Sequence, residues 1–217
     1  MGRRGCGWSR NSLIRVAVPE LADGYHPIPA GKLATIVTSL EMRTRPVLPP
    51  ESESAAWVLK HRREPELGWY RALFRRIGEP YLWASRLEMG DEALGAILTD
   101  PRVEVYCVVA DGAEAGILEL DFGVAGECEL TFFGVTPRLI GSGAGRWMMQ
   151  RAIERAWSQP IARFWVHTCS LDHPAALPFY RRAGFVPFRC DVEIFSDPRT
   201  TGIYPAESAP QIPLFRS

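Results

Sequence analysis

The run Arg138-Leu139-Ile140-Gly141-Ser142-Gly143-Ala144-Gly145-Arg146 leads directly into Trp147-Met148-Met149. Glycine at every second position from 141 to 145 removes side chains just where the pattern turns helical. Met149, Ala152, Ile153 and Ala156 are apolar at helical spacing, with Arg151, Glu154 and Arg155 opposite. The first turn of a helix presents N–H groups that no preceding carbonyl satisfies, and the dipole adds partial positive charge there. Gly141, Ser142, Gly143, Ala144, Gly145 and Arg146 therefore form a candidate phosphate cradle, with Arg138 as a second nearby cation. A plain glycine-rich turn before a helix explains the spacing equally well. Neither common nucleotide motif fits: a P-loop needs Lys-Ser or Lys-Thr after its last glycine, and the dinucleotide fingerprint spaces its glycines differently and opens the first βαβ unit.

The same residues resemble the Q/R-x-x-G-x-G/A loop of the GNAT acyltransferase family, which follows a strand, opens a helix and holds the pyrophosphate of acetyl-CoA. Arg138-x-x-Gly141-x-Gly143 matches that loop. Aligned instead on all three glycines, the Gln/Arg place falls on Ile140. Upstream, Glu129-Leu130-Thr131-Phe132-Phe133-Gly134-Val135-x-Pro137 is similar to the family's preceding strand. Downstream, His173-x-x-Ala176-x-x-x-Tyr180-x-x-x-Gly184-Phe185 is similar to its N-x-x-A-x-x-x-Y-x-x-x-G-F element, with His in place of Asn. The resemblance covers roughly residues 103 to 190.

What the resemblance implies is an N-acetyltransferase that moves an acetyl group from acetyl-CoA to a primary amine by direct attack. Phe133, Gly134 and Val135 would bond the pantetheine and polarise the thioester carbonyl from a bulged strand, and Gly134 suits either a bulge or close packing. Glu129 occupies the place of the family's general base. Tyr180 occupies that of its general acid, a phenol near pKa ~10 beside a thiol near ~8.5. His173 stands where the family's CoA-contacting Asn stands. Trp83, Ser85 and Arg86 fall in the region that walls the acceptor site, and His167 and Asp172 are placed to line it. The four acids Glu119, Asp121, Glu129 and Asp172 are expected to converge beside Tyr180 and receive a cationic amine. A His167–Cys169 nucleophilic dyad is disfavoured, because strand neighbours at i and i+2 run parallel. Two His and one Asp match no standard metal spacing, so no metal is expected. The rival class is a non-catalytic acyl-CoA-binding sensor or interaction module on the same fold.

Composition sets the bounds. A length of 217 residues suits one domain with a full core. Lys+Arg 25 against Asp+Glu 25 argues against a nucleic-acid partner. Cysteines at 6, 107, 128, 169 and 190 are odd in number and lack any C-x-x-C pair, which suggests reduced thiols and a cytoplasmic location. No run approaches the ~18 apolar residues of a membrane span. The acceptor is expected to be a small-molecule amine or a protein amino group, and a homodimer stays open.

Residues 1–30 read as a loosely ordered, basic tail, 31–196 as the acyltransferase domain and 197–217 as a proline-rich C-terminal tail. Within the domain the expected class is α/β, a mixed and mainly antiparallel sheet flanked by helices and splayed at the acetyl-CoA site. Strands are expected over 32–42, 103–109, 116–122, 127–135, 162–169 and 185–195, with a linker from the prolines at 46–50 to about Glu64. Helices are expected over 65–76, from an Asp91 cap to Leu98, after Gly145, and from a cap at Asp172 or His173 to Gly184. Pro178 inside the last is expected to delete one backbone bond and kink it.

Overall fold

A computed structural model describes residues 21–48 and 56–216 of the chain. Seven strands build one sheet: β1 (Lys32–Met42), β2 (Trp57–Arg62), β3 (Val103–Ala110), β4 (Ala113–Asp121), β5 (Glu127–Val135), β6 (Arg163–Cys169) and β7 (Val186–Ser196). They lie in the order β2-β3-β4-β5-β6-β1-β7. Every adjacent pair is antiparallel except β5 and β6. That pair is parallel because a helix, α4 (Ala144–Ala156), carries the chain back over the sheet between them. The expected mixed, mainly antiparallel sheet is what forms.

Helices cover both faces. Against one, α4 and α5 (Ala176–Arg182) pack Met148, Met149, Ala152 and Tyr180 onto Leu40, Leu118, Leu120, Leu130, Phe164 and Val166. On the other, α1 (Leu67–Gly78) and α3 (Asp91–Leu98) bury Tyr70, Phe74, Leu94 and Leu98 against Val105, Cys107 and Ile117. Between α1 and α3 a short α2 (Ser85–Glu88) ends the 79–84 connection. The proline-rich stretch after β7 packs as well: Tyr204 and Ala209 join Leu33 and Leu82 in a third apolar cluster.

Strand β5 is the element that shapes the site. Against β4, Phe132 opposes Glu119 and Leu130 opposes Leu120, so Thr131 is an extra residue, a β-bulge. The bulge exchanges the two faces of the strand. Before it Leu130 joins the α4 side, and after it Phe133 does so, while Phe132 turns to the α1 side. Phe133 consequently does not share a face with Glu129, as unbroken alternation would require. On its other edge β5 pairs with β6 only from Glu127 to Leu130, opposite Arg163 to Val166. Beyond that pair the two strands part.

Several local expectations change. β2 lies in the stretch read as a linker, and its alternately exposed residues sit at the sheet edge. α1 runs two residues past the expected end, to Gly78, where a Cβ would stand 2.5 Å from Trp83 Cβ. The bulge is at Thr131, not Gly134, whose Cβ would lie 2.6 Å from Ile77 Cγ2 and 3.1 Å from Trp83 Cη2. Gly134 is a packing glycine. The residue before α3 is Gly90, so Asp91 is its first residue and not its cap. α5 starts at Ala176 with Ala175 before it, later than a cap at Asp172 or His173 implies. Pro178 is its third residue, where the N–H has no helical acceptor in any case, so it deletes no bond. Residues 1–20 of the expected N-terminal tail lie outside the described residues. Replacing Gly134 by Ala should overpack Ile77 and Trp83 and cost about 1–3 kcal/mol, read as a lower urea midpoint with an unchanged slope. A midpoint equal to that of the natural chain would show that the neighbours yield freely.

Candidate active site

The glycine loop reaches α4 through two left-handed glycines, Gly141 at φ 81 and Gly143 at φ 97. Both conformations suit a residue without a Cβ. Gly143 is the residue before the helix, and the first helical bond runs from Trp147 N–H to the Gly143 carbonyl at 3.1 Å. The Ser142 hydroxyl accepts from Ala144 N–H at 3.2 Å and donates to the Leu139 carbonyl at 2.8 Å. The N–H groups of Gly145 and Arg146 are left at the helix end with no helical carbonyl to serve them. A Cβ at Gly141 would meet nothing within 4 Å, and at Gly145 only Phe179 at 4.0 Å, so both approaches are open. Arg138 is not part of the cradle. Its guanidinium donates to the Ala110 carbonyl at 2.7 Å and lies 3.4 Å from Asp111, across the β3–β4 turn. Arg146 is exposed on the first turn of α4.

Where β5 and β6 part, a cavity of about 270 Å³ opens. Gly141, Gly145 and Phe179 line it on the loop side, Phe133, Gly134 and Val135 along β5, and Tyr81, Trp83, Asp172 and His173 on the other side. Tyr180, from α5, borders it between Phe133 and Phe185, at centroid distances of 6.2 and 6.0 Å. Burial, reinforced by the negative charge of Asp172, pushes the Tyr180 phenol well above the ordinary tyrosine range, so it stays protonated. No described residue hydrogen-bonds its hydroxyl. Asp172 is held by three donors: the Trp83 indole at 3.0 Å, the Thr168 hydroxyl at 2.8 Å and Cys169 N–H at 2.9 Å. His173 accepts from Ala175 N–H at 3.1 Å through Nδ1 and packs edge-on to Tyr81.

The acids do not converge as expected. Glu119 has no exposed surface and faces the α1 side. It accepts from the Tyr70 hydroxyl and pairs with Arg86, both at 2.5 Å. Arg86 therefore serves this buried triad, also lying over the Phe132 ring at 5.1 Å, and does not line the cavity. Asp121 accepts from Gly123 N–H at 2.6 Å and shapes the β4–β5 turn. Glu129 does not line the cavity but lies 3.4 Å from His167 Nδ1. His167 does line it. Burial works against its charged form, yet the Glu129 carboxylate beside it, then Asp172 and Glu193, raise its pKa above the ordinary imidazole value. Cys169 is pushed up to about 11, by burial first and Asp172 second, which keeps the thiol neutral and removes the nucleophile that a Cys169–His167 dyad would need.

Of the sequence candidates, Trp83, Ser85, Phe133, Gly134, Val135, Gly141, Gly145, His167, Asp172, His173 and Tyr180 border one cavity. Arg86, Glu119, Asp121, Glu129, Arg138, Ser142, Gly143, Ala144 and Arg146 do not. Residues not singled out in the sequence also line it, chiefly Leu171, Glu193 and Phe195. Alternation along β7 carried the signal for the last two, but only once β7 is seated beside β1, where Glu193 opposes Thr35 and Phe195 opposes Leu33.

A strand that leaves its parallel neighbour, then a glycine loop opening a helix, defines an acyltransferase architecture, and comparison with known proteins agrees. The model of the Acetyltransferase (GNAT) family matches residues 49–185. The chain belongs to that family. A search of curated proteins finds no match. Among solved structures, the chain is similar to a conserved protein of unknown function from Staphylococcus epidermidis, with TM-score 0.55, 12% identity, and 77% of this chain and 63% of that one covered. It is also similar to a protein placed in the GNAT family from Novosphingobium aromaticivorans, at 0.52, 17%, 77% and 68%. A GCN5-related N-acetyltransferase from Sphaerobacter thermophilus gives 0.51, 14%, 75% and 52%. At these identities the likeness is one of fold. No described helix is long and apolar enough to cross a membrane.

Because Glu119 is enclosed, Glu119→Ala should strand the Arg86 charge and cost about 3–5 kcal/mol of stability. Asp121→Asn, at a turn, should cost far less. Equal and small losses in denaturant melts of the two variants would contradict the assignment of Glu119 to the core.

Proposed function

We propose that the protein transfers an acetyl group from acetyl-CoA to a primary amine by direct attack. The observation that carries this is the parting of β5 from β6 after Leu130, which sets the glycine loop, Tyr180 and His167 around one cavity. The residues present fit acyl-CoA. Glycines 141 and 145 leave room at the helix end for a pyrophosphate. No described strand pairs with the cavity edge of β5 past Leu130, so main-chain groups of Thr131 to Val135 are free to bond a pantetheine arm. The Thr131 hydroxyl, buried and without a partner among the described residues, also lines this cavity. Acetyl-CoA, when bound, supplies the activated acyl group.

The chain's own residues then have three tasks. Main-chain donors of β5 polarise the acyl carbonyl. His167, raised in pKa but neutral above it, takes the proton from the attacking amine, and the Glu129 carboxylate 3.4 Å behind it favours the charged imidazolium that forms. This moves the base one residue closer to the substrate than Glu129 alone. Tyr180, kept un-ionised by burial, gives its proton to the departing sulfur.

Tyr180→Phe should lower turnover by about 10²–10⁴-fold with acetyl-CoA affinity unchanged, measured as CoA release over a panel of amines and by calorimetry. Full turnover in that variant, with chemistry rate-limiting, would remove Tyr180 from the reaction. The pH profile tests His167. A base must be neutral, so the acid limb of kcat should lie above the ordinary imidazole value of ~6.5, and Glu129→Gln should move it to lower pH. An acid limb that stays in place in Glu129→Gln would exclude the pair.

A further inference from the structure

Trp83 is fixed more firmly than a residue on a connecting segment needs to be. Gly78 and Gly134 make room for it from two sides, since a Cβ at either would stand 2.5 or 3.1 Å from its side-chain atoms. Its indole N–H donates to Asp172 at 3.0 Å, and its carbonyl accepts from the Tyr204 hydroxyl at 2.6 Å. Tyr204 belongs to the segment after β7, which lies beyond the residues the family model matches. That segment is itself tied down. The buried Arg199 guanidinium pairs with Asp197 at 2.7 Å and donates to the Ile212 carbonyl at 2.8 Å. Ser208 donates to Glu79 at 2.6 Å and Gln211 to the Pro80 carbonyl at 2.7 Å. Residues 197–212 thus strap the 79–83 connection from outside, and the indole becomes a rigid wall of the cavity.

The surfaces around that wall state what it would accept. Trp83 has Tyr81 and Phe132 beside it at centroid distances of 6.4 and 5.5 Å, and Leu171 and Phe195 add apolar lining. Asp172 and Glu193 bring negative charge to the same cavity, and Arg182 borders it as a cation. A protonated amine is drawn to the carboxylates and to the faces of the rings. Beside the indole its body meets mainly the apolar faces of Tyr81, Phe132, Leu171 and Phe195, against which hydroxyls would be left unpaired. The cavity, about 270 Å³, also receives the acyl end of the pantetheine arm in this reading, so the space left for the acceptor is smaller than that.

Resting on the acetyl-transfer reading, we infer that the acceptor is a compact primary amine with a flat apolar body stacked on Trp83, and that the strap after β7 sets this preference through Tyr204. Phenethylamine, putrescine, kanamycin and a lysine-containing peptide serve as probes, titrated calorimetrically into the CoA-saturated full-length protein, so that binding is read without turnover. Phenethylamine should bind at least tenfold more tightly than the other three. Trp83→Ala should abolish that preference while acetyl-CoA affinity stays. Tyr204→Phe, which keeps the ring and drops only the hydroxyl, should weaken phenethylamine several-fold with the acetyl-CoA affinity and the thermal midpoint close to those of the natural chain, and it carries the test if Trp83→Ala does not fold. Tighter binding of putrescine, kanamycin or the peptide, no binding of any probe, or an unchanged phenethylamine affinity in Tyr204→Phe would overturn the inference. If phenethylamine binds as expected and no CoA is released from acetyl-CoA, the transfer reading fails and the pocket assignment stands.

Discussion

A β-bulge puts one extra residue into a strand and disrupts its ladder locally. Thr131 is that residue, and the pairing of β5 with β6 ends at Leu130, immediately before it. Main-chain groups are obligate hydrogen-bonding groups, so an edge opened inside a sheet must be served by water or by a ligand. The rest of the site depends on this parting. It gives the cavity its mouth, directs Phe133 toward Phe179 and Tyr180, and leaves β6 to present His167 on the opposite bank.

The charges divide into those that hold the scaffold and those that face the cavity. Glu119, Arg86 and Tyr70 close on one another inside the α1 side, and the triad fixes α2 against β4. Such a triad is costly to break and does not bear on the substrate directly. Asp172 does both tasks: its three donors secure the β6–α5 loop, and its charge acts on Tyr180 and His167. Glu129 does not reach the cavity itself and lies 3.4 Å from His167, which does.

The fold was largely legible because its strands alternate and its longer helices carry clear apolar stripes. The glycine loop was legible because glycine at a helix start has few uses. What failed did so for identifiable reasons. Edge strand β2 mixes Lys60, His61 and Arg62 into its six residues and follows a run of prolines, so no period stands out. α2 spans four residues, too few for any period. The bulge at Thr131 exchanged the faces of β5, which alternation counted from Glu129 could not anticipate. Glu119 and Asp121 share a face with Glu129, but that face is roofed by α1 at Glu119 and ends in a turn at Asp121. Arg138 fits the family's loop in sequence, yet its side chain turns to the Ala110 carbonyl. The strap after β7 depends on Arg199 reaching carbonyls thirteen and fourteen residues away, a conformation that composition conceals.

The central claim is that the parted strands and the glycine loop together form one acyl-CoA site. A crystal structure of the protein with bound CoA tests it most directly. The account predicts the pyrophosphate against the main-chain N–H groups of Gly143 to Arg146, the pantetheine along β5 from Thr131 to Val135, and the sulfur beside the Tyr180 hydroxyl. A pyrophosphate bound away from that loop, or a sulfur remote from Tyr180, would contradict it.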